Sequence, residues 1–404
     1  MAVPPAGGFA VPLAAACLWR WPPAAEAWLG RIGLPRRLLI VLGALLAAVA
    51  LAVSLITGGQ LDGHLLHGGD FQTYWVGAIV GTRYGWSRIF DAGLQRAMWP
   101  AAAGAGVPFL PFLNTPPMAW LVSPLLALPY TAAYLVWVAL MSACAVLTVA
   151  LLMPRHWLAP AALIAAGLWV TPYTLASGQN AIIGALAVAL TWRLLRAGHE
   201  GWAGAAMALI ALRPTATLLL PFAILVAGYR RTFLTWLAIT LVVAGASAWS
   251  LGGTGLRDFM QLAADVRRSH PHAVNMTILG WLGQNPVALA LEIVAATGAL
   301  AVAWRGGRIP ELAIAAGVLG SLFVTPYIHA QDYVTIIAAA SAVAVTTARQ
   351  SFGLVLVALL AAAPPGWVFG AAWEGALLAA ELATLGWLAF GTRGLSPGWT
   401  RSPT

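Results

Sequence analysis

Long apolar runs separated by short polar segments repeat along the whole chain. A helix needs about 20 mostly apolar residues to cross the hydrocarbon core of a bilayer, and the first clear run of that kind is Leu38–Thr57. Further apolar runs follow at residues 131–153, 157–174, 180–197, 201–214, 215–229, 232–250, 284–304, 310–327, 332–348, 351–369 and 371–390. The pattern predicts an all-α polytopic membrane protein with about 12 transmembrane helices.

Composition agrees with this fold class. The 404 residues are 61% hydrophobic and 8% charged, with a mean hydropathy of +0.85. About a quarter of the residues of a soluble domain are charged, so the composition excludes that class. The net charge of +9 comes from 21 basic residues that are all arginine, which is typical of a GC-rich genome. We therefore expect no nucleic-acid partner. Cys17 and Cys144 lie far apart in apolar segments and predict no disulfide or metal framework.

The arginines predict the orientation of the chain. With a cytoplasmic N-terminus, 14 arginines fall inside and 6 outside, while Arg213 lies at membrane depth. This excess agrees with the positive-inside tendency. It requires that the segment 116–130 does not cross the membrane. Because prolines stand at 116, 117, 124 and 129, we expect a re-entrant or interfacial element there.

The apolar runs 201–214 and 215–229 are short and leave two interpretations open. They form either two half-length helices that meet at Arg213, or a single kinked span that inverts everything downstream. A single span would export Arg230 and Arg231. We therefore favour two helices.

The chain is predicted to form one transmembrane domain. This domain covers residues 38–392, between a cytoplasmic N-terminal extension at 1–37 and a cytoplasmic tail at 393–404. Two extracytoplasmic loops follow from the topology, at about 58–116 and 251–284.

Short helices are predicted inside both outer loops. The first loop contains two helical stretches at 71–84 and 91–99, and the second contains an amphipathic stretch at 254–269. One face of that stretch carries Leu256, Phe259, Leu262 and Ala263. We expect this face to lie on the membrane surface or on the first outer loop.

An aspartate stands in the stretch HLLHGGDFQTYWVGA, residues 64–78, shortly after the first apolar run. Asp70 begins a helix that carries an aromatic cluster, so it could serve as the N-cap of that helix. Alternatively, its carboxylate could lie at the mouth of a membrane cavity and take a proton from a sugar hydroxyl. The two roles are compatible, because a capped aspartate is also a positioned one.

The predicted topology brings a set of polar residues to the same outer boundary. They are Asp70, Gln179, Asn180, Arg213, Asn275, His329 and Asp332. A polar group in hydrocarbon costs free energy unless it is paired or faces water. Their coincidence on one side predicts a hydrated cavity between the helices.

Each member of this set has a structural alternative. Gln179 and Asn180 could hydrogen-bond sugar hydroxyls or cap the helix that starts there. Arg213 could hold a phosphate, snorkel to the interface or pair with an acid. His329 and Asp332 could bind phosphate or hydroxyls, or form a local pair at a helix start.

Aromatic and acidic residues elsewhere give weaker signals. Tyr74 and its aromatic neighbours could stack on sugars, although membrane interfaces collect aromatic residues in any case. Glu292 and Glu381 lie inside predicted spans, where acids are commonly functional, but no cluster assigns them a role.

Six stretches, in order along residues 60–335, resemble glycosyltransferase family 87, formerly a domain of unknown function. They are GDFQTYW (69–75), NTPPMAWLVSPLLALP (114–129), SGQNAIIGAL (177–186), LRPTATLLLPF (212–222), NMTILGWL (275–282) and TPYIHAQDY (325–333). The resemblance implies a bundle of the GT-C class and transfer of a hexose from a polyprenyl-phosphate sugar. Mannose is the best-known donor sugar of that family.

The resemblance also implies roles for individual residues. Asp70 matches the catalytic aspartate of the first outer loop, and Arg213 stands where the family usually has lysine. Met276 departs from the more usual glutamine. The expected substrate-binding residues are Tyr74, Asn114, Gln179, Asn180, Arg213, Asn275, His329 and Asp332.

The expected reaction is an inverting displacement onto a glycolipid or glycan acceptor, with Asp70 as the general base. The expected location is the inner membrane of a bacterial cell, with the site facing the periplasm. No metal or cofactor is expected, since Asp62, Asp70 and Asp91 form no paired-carboxylate motif. The main alternative is a transporter or flippase for lipid-linked sugars, because half-helices meeting at a charged residue also suit a substrate pathway. A third alternative is a non-catalytic assembly subunit.

Overall fold

Most of the predicted membrane domain is helical in the structure. The computed structural model describes residues 69–104, 107–153, 170–269, 277–283, 285–325, 327–346 and 371–391, with Val41, Leu45, Ala162 and Ala165. Every regular element within these residues is an α-helix or a 3-10 helix, as the apolar pattern predicts. The predicted spans at 38–57 and 351–369, most of the span at 157–174 and both termini lie outside the described residues.

The described residues form fourteen α-helices. The helices are α1 (Gly69–Tyr84), α2 (Ala92–Ala103), α3 (Pro116–Val122), α4 (Tyr130–Leu152), α5 (Val170–Ala176), α6 (Ala181–Arg196), α7 (Glu200–Met207), α8 (Leu220–Val226), α9 (Arg230–Ser269), α10 (Ile278–Leu282), α11 (Pro286–Gly306), α12 (Pro310–Val324), α13 (Val334–Thr346) and α14 (Ala371–Gly391). The 3-10 helices are Trp86–Arg88, Ser123–Ala127, Ala208–Leu212, Thr215–Thr217 and Ala330–Tyr333.

The two helices predicted in the first outer loop are present as α1 and α2. Helix α1 is buried from Phe71 to Gly81, and the Phe71 ring stacks on Trp137 of α4 with ring centroids 5.7 Å apart. Helix α2 is capped by Asp91, whose carboxylate accepts a hydrogen bond from the backbone of Leu94 at 3.0 Å. The first outer segment is therefore packed into the bundle and continuous with its core.

The proline-rich segment after Asn114 forms α3 and one 3-10 helix. Together they cover the twelve residues Pro116–Ala127. Such a segment is about 20 Å long at 1.5–2.0 Å per residue, whereas the hydrocarbon core is about 30 Å thick. It is shorter than the hydrocarbon core is thick, and its re-entrant or interfacial placement stays a prediction.

Helix α6 is the centre of the described bundle. It is buried along nearly its whole length and contacts α4, α7 and α13. Small residues allow the neighbouring helices to approach closely. A Cβ at Gly204 of α7 would lie 2.3 Å from the Thr232 carbonyl oxygen, and one at Gly317 of α12 would lie 2.7 Å from the Leu220 Cα.

Three of the described helical segments are long and apolar enough to cross a membrane. They are Tyr130–Leu152, Arg230–Val266 and Pro286–Gly306. Their outward faces carry exposed apolar side chains such as Trp249, which is 91% exposed. Exposed apolar faces of this kind contact lipid in a bilayer. The total of about 12 crossings stays a prediction.

The two short runs around Arg213 form two half-length helical segments. Helix α7 continues as the 3-10 helix Ala208–Leu212, and the chain resumes after Pro214 in another 3-10 helix that leads into α8. Helix α12 supports the break, because the Thr325 hydroxyl donates to the Thr215 carbonyl at 2.6 Å. This is the first of the two interpretations of the sequence.

Helix α9 changes direction at Gly252, where φ is 58°. The part beyond Gly252 includes the predicted amphipathic stretch, and it packs on the first outer segment. The Phe259 ring lies 4.9 Å from Phe90, and Leu262 is buried. Leu256 of the same predicted face is 45% exposed. Phe259 and Leu262 therefore pack on the first outer loop, which was one of the two locations expected for this face, the other being the membrane surface.

Candidate active site

Four segments that are distant in sequence meet at one end of the bundle. They are the first turn of α1, the turn 177–180, the break at Arg213 and the turn 327–333. Seven of the predicted residues come together there. We call them the polar cluster: Asp70, Tyr74, Gln179, Asn180, Arg213, His329 and Asp332.

The turn before α6 is held tightly against α1. The Asp70 backbone N–H donates to the Ser177 carbonyl at 2.9 Å, and the Trp137 indole donates to the Gly178 carbonyl at 2.8 Å. Gly178 has a φ of 70°, and a Cβ there would lie 2.6 Å from the Phe71 Cβ. Only glycine fits both the backbone conformation and the space. These contacts fix Asp70 relative to the turn.

Gln179 links the acid of the cluster to its cation. Its Oε1 accepts hydrogen bonds from the Tyr74 hydroxyl at 3.0 Å and from Arg213 Nη1 at 2.7 Å. The side chains of Gln179 and Ser177 also lie close to the Asp70 carboxyl and favour its ionised form, as Arg213 does. Asp70 and Arg213 are therefore close enough to interact electrostatically, with Gln179 beside both.

Asn180 occupies the N-cap position of α6, but its side chain makes no capping hydrogen bond. Its Oδ1 accepts from the Tyr74 hydroxyl at 3.2 Å and from Arg213 Nη1 at 3.4 Å. Its Nδ2 donates to the Leu212 carbonyl at 3.1 Å. The side chain thus takes part in the cluster and also ties α6 to the break before Arg213.

Tyr74 contributes its hydroxyl to the cluster, while its ring is part of the core. The residue is 1% exposed, and the ring lies edge-on to Trp137 at 6.1 Å. A buried ring offers no free face for stacking on a sugar. The hydroxyl positions the amides of Gln179 and Asn180.

Arg213 forms a bidentate ion pair with Asp332. Its Nε donates to Asp332 Oδ1 at 2.6 Å, and its Nη2 donates to Oδ2 at 3.1 Å. The two side chains are 9% and 1% exposed. Of the alternatives for Arg213, pairing with an acid is present in the structure. A guanidinium has five N–H groups, so this pairing still leaves hydrogens for a further anion.

His329 and Asp332 also form the local pair that was one alternative for them. The His329 backbone N–H donates to Asp332 Oδ2 at 3.0 Å, and the Asp332 N–H donates to the His329 carbonyl at 2.9 Å. One carboxylate therefore closes this turn and binds Arg213 at the same time.

Tyr327 belongs to the same region, and the sequence analysis did not select it. It is 40% exposed, its ring lies 5.5 Å from the His329 ring, and it interacts electrostatically with Arg213 and Asp70. The available signal was its place in the stretch TPYIHAQDY, two residues before His329.

Of the two remaining predicted residues, Asn114 is not brought into the cluster, and Asn275 cannot be placed relative to it. Asn114 is half-buried just before α3, and its neighbour Thr115 donates its hydroxyl to the Ala211 carbonyl at 2.9 Å. In the part of the chain that the structure describes, no hydrogen bond joins the Asn114 side chain to the cluster. Asn275 lies outside the described residues.

The two carboxyls beside Arg213 differ in their protonation. Burial raises the pKa of Asp70 to about 6, although Arg213 and the Gln179 side chain act against this shift. Burial would also raise the pKa of Asp332, but its close pairing with Arg213 holds that pKa below the ordinary value. Burial lowers the pKa of His329. Asp332 is therefore a permanent anion, while Asp70 can take up a proton near neutral pH.

Asp91, one of the three acids of the first outer loop, is engaged in local contacts. Besides capping α2, it accepts a hydrogen bond from Arg88 Nη2 at 2.6 Å. Asp62 lies outside the described residues. Among the residues that the structure describes, no three His, Cys, Asp or Glu side chains are grouped so that they could hold a metal ion.

The described helices include three that are long and apolar enough to cross a membrane. The polar cluster lies between helices and contains an acid and a paired guanidinium. The fold and the site therefore define a multi-pass membrane protein with a polar site between its helices. The sequence profile of glycosyltransferase family 87 matches residues 112–328, more than half of the chain, and the chain belongs to this family. The protein is therefore a glycosyltransferase, which uses a sugar donor and an acceptor. Comparison with curated proteins and with solved structures finds no match.

The matched region covers only part of the polar cluster. Gln179, Asn180 and Arg213 lie inside residues 112–328, whereas Asp70 precedes them and Asp332 follows. Family membership therefore supports sugar transfer, and the roles of the individual cluster residues depend on their geometry.

Proposed function

We propose that the protein moves a hexose, with mannose as the leading candidate, from a polyprenyl-phosphate donor to a glycolipid or glycan acceptor. The observation that carries this proposal is the closeness of Asp70 to Arg213. The two groups interact electrostatically, and the Gln179 side chain, which is hydrogen-bonded to Arg213, lies beside both. A base and a phosphate-binding cation are thereby within reach of one substrate.

Asp70 is the general base in this proposal. A pKa of about 6 leaves most of the carboxyl ionised at pH 7. The value still lies close enough to neutrality for the group to take a proton during the reaction. The contacts of its backbone and side chain with Ser177 hold it in place.

Arg213 stabilises the leaving phosphate. Asp332 occupies the Nε edge of the guanidinium, and the amide oxygens of Gln179 and Asn180 accept from Nη1. The second hydrogen on Nη2 is available to a phosphate oxygen, for which a planar guanidinium is well suited. Because Asp332 fixes the orientation of the fork, its response to developing negative charge needs little reorganisation.

The proposed reaction is a single displacement. The acceptor oxygen attacks the anomeric carbon while its proton passes to the Asp70 carboxylate. The bond between the anomeric carbon and the phosphate oxygen breaks, and the polyprenyl phosphate leaves with the electron pair. Attack opposite to the leaving group inverts the anomeric configuration.

A lipid-linked donor also suits the surroundings of the cluster. An apolar groove with a volume of about 100 Å³ lies between α4, α5, α6 and α13. Its lining includes Ile182, two residues after Asn180, and Val334, two residues after Asp332. An isoprenoid chain in this groove would place its phosphate toward the polar cluster.

The proposed location is the bacterial inner membrane, with the cluster on the periplasmic side. The excess of arginines at the opposite ends of the helices supports this orientation. The alternative of a lipid-sugar transporter loses its main support, because the broken helix at Arg213 carries residues matched by a glycosyltransferase family.

Asp70→Asn tests the role of the base. Membranes that contain the variant would receive radiolabelled polyprenyl-phosphate mannose, and transfer of label to glycolipid and glycan fractions would be counted. We expect at least about 100-fold slower transfer, since a positioned base contributes about 10²–10⁴-fold. Binding of the donor should be retained, because Arg213 is unchanged.

Asp265→Asn is the matched control, because Asp265 is an exposed acid that pairs with Arg268 on the outer part of α9. It should transfer at the wild-type rate. Wild-type turnover in Asp70→Asn would reject Asp70 as the base. Lack of transfer by the wild-type protein from the mannose, glucose and galactose donors would reject the proposed donor class.

A further inference from the structure

Helix α14 places a carboxyl side chain in an apolar part of the bundle. Glu381 is 1% exposed, and the leucines at 377, 385 and 388 on the same helix are also buried. Burial of a carboxyl group costs free energy unless the group is hydrogen-bonded. Nothing in the proposed transfer reaction uses this acid directly.

The partner of Glu381 is a residue next to the polar cluster. The Tyr333 hydroxyl donates a hydrogen bond to Glu381 Oε1 at 2.5 Å. Tyr333 is 0% exposed, and it follows Asp332 directly in the 3-10 helix Ala330–Tyr333. A contact 48 residues apart in sequence thus connects α14 to the turn that carries Asp332.

The short turn is held at both ends. At its start, the His329 N–H donates to Asp332 Oδ2; at its end, Tyr333 is held by Glu381. Adjacent Cα atoms are about 3.8 Å apart, so rotation of Tyr333 would move the backbone of Asp332. A displacement of a few tenths of an ångström is enough to weaken a bidentate pair such as that of Asp332 with Arg213.

We propose that Glu381 and Tyr333 form a positioning pair, which sets the orientation of the Arg213 guanidinium through Asp332. This inference rests on the proposed function of Arg213 as the phosphate-binding group. It extends the functional part of the chain to α14, beyond the family match that ends at residue 328. Glu381 acts as a hydrogen-bond acceptor and touches neither donor nor acceptor substrate.

Three variants test the positioning pair. Tyr333→Phe removes the donor, Glu381→Leu removes the acceptor, and Glu381→Gln keeps an oxygen that can accept the same hydrogen bond. Because Arg213 holds the donor phosphate and also stabilises it as it leaves, we expect the first two to raise the KM for polyprenyl-phosphate mannose about 5- to 10-fold and to lower kcat. The KM for the acceptor should not change. Glu381→Gln should restore values within about 2-fold of wild type.

Thr384→Val is the matched control on the same helix. Thr384 is 2% exposed and donates its hydroxyl to the Ala380 carbonyl within α14, so the variant removes a buried hydroxyl without touching the turn. A purely structural role of Glu381 would lower the amount of active protein, and therefore kcat, at unchanged KM. That result in Tyr333→Phe and Glu381→Leu would overturn the inference.

A spectroscopic measurement separates this inference from the proposed function. In protein labelled with ¹⁵N-arginine, the Nε–H signal of Arg213 is identified by its loss in Arg213→Lys. It should shift in Tyr333→Phe and Glu381→Leu but stay in place in Glu381→Gln and Thr384→Val. An unmoved signal in the first two variants would reject the positioning pair even if the wild type transfers mannose. A shifted signal would support the pair even if no transfer from that donor is found.

Discussion

Asp70 and Asp332 are carboxylates near the same guanidinium, and their surroundings make them chemically different. Asp332 receives two hydrogen bonds from Arg213 and remains ionised. Asp70 interacts electrostatically with Arg213, and burial raises its pKa to about 6. Acid and base roles are commonly divided in this way between two carboxyls with different environments. One carboxylate is structural and the other is free to exchange a proton.

The raised pKa of Asp70 predicts the pH dependence of transfer. A base must be ionised to accept a proton, so kcat/KM should fall as the pH drops through about 6 and level off above about 7. The measurement is a pH–rate profile from pH 5 to 8 at subsaturating donor. Residual activity of Asp70→Asn should lack this limb, and a wild-type profile that is flat between pH 5 and 7 would contradict the assignment.

Sequence reasoning found most of the cluster, because residues at successive helix ends alternate between the two sides of a membrane. It correctly grouped Gln179 and Arg213, which lie 34 residues apart. It left open whether Arg213 pairs with an acid, because the Arg213–Asp332 contact joins residues 119 apart and depends on how α8 and α12 pack. It missed Tyr327 and left Glu381 unassigned, since apolar patterning does not reveal which side chains meet.

At the scale of elements, the turn before α6 connects the acid to the rest of the bundle. Helix α1 lies across this turn, and Gly178 is the point of closest approach. The sequence predicted both the helix and its aspartate. It did not predict that the helix is buried from Phe71 to Gly81, because an outer loop is expected to face water.

Gly178→Ala should disturb both packing and activity. The new Cβ would meet Phe71 at 2.6 Å, in a backbone conformation with a φ of 70°. We expect a loss of stability of about 2 kcal/mol or more, together with slower transfer because Asp70 is displaced from Gln179. The thermal midpoint in detergent and the transfer rate are the measurements.

Gly198→Ala separates backbone strain from the steric clash. Gly198 has a similar φ of 77°, and nothing lies within 4 Å of a Cβ placed there. It should lose only the strain contribution, about 1 kcal/mol, and keep its transfer rate. Equal effects of the two substitutions would show that the contact with Phe71 is unimportant.

At the scale of the whole molecule, the site is a product of the topology. Its residues come from α1, from the turn before α6, from the break between α7 and α8, and from the turn after α12. No separable part of the described chain contains the cluster. The helical class and the positions of most helices could be predicted from the apolar runs. The structure was needed to show the kink at Gly252 and to show that the outer part of α9 packs on the first outer segment.

Cysteine labelling tests the proposed orientation. In a chain with Cys17 and Cys144 replaced by alanine, Arg257→Cys and Arg305→Cys place single thiols at exposed positions at opposite ends of the bundle. A membrane-impermeant maleimide added to intact spheroplasts should label position 257 and leave position 305 unlabelled until the cells are lysed. The reverse pattern would place the polar cluster on the cytoplasmic side.

The break at Arg213 sets how deep the chemistry takes place. Helix α7 and its 3-10 extension cover Glu200–Leu212, a length of about 22 Å, against a hydrocarbon thickness of about 30 Å. In the proposed orientation, we expect Arg213 to lie below the level of the lipid headgroups, so that the acceptor must reach down to it. Longer acyl chains should increase that depth, and we therefore expect the transfer rate to depend on lipid chain length.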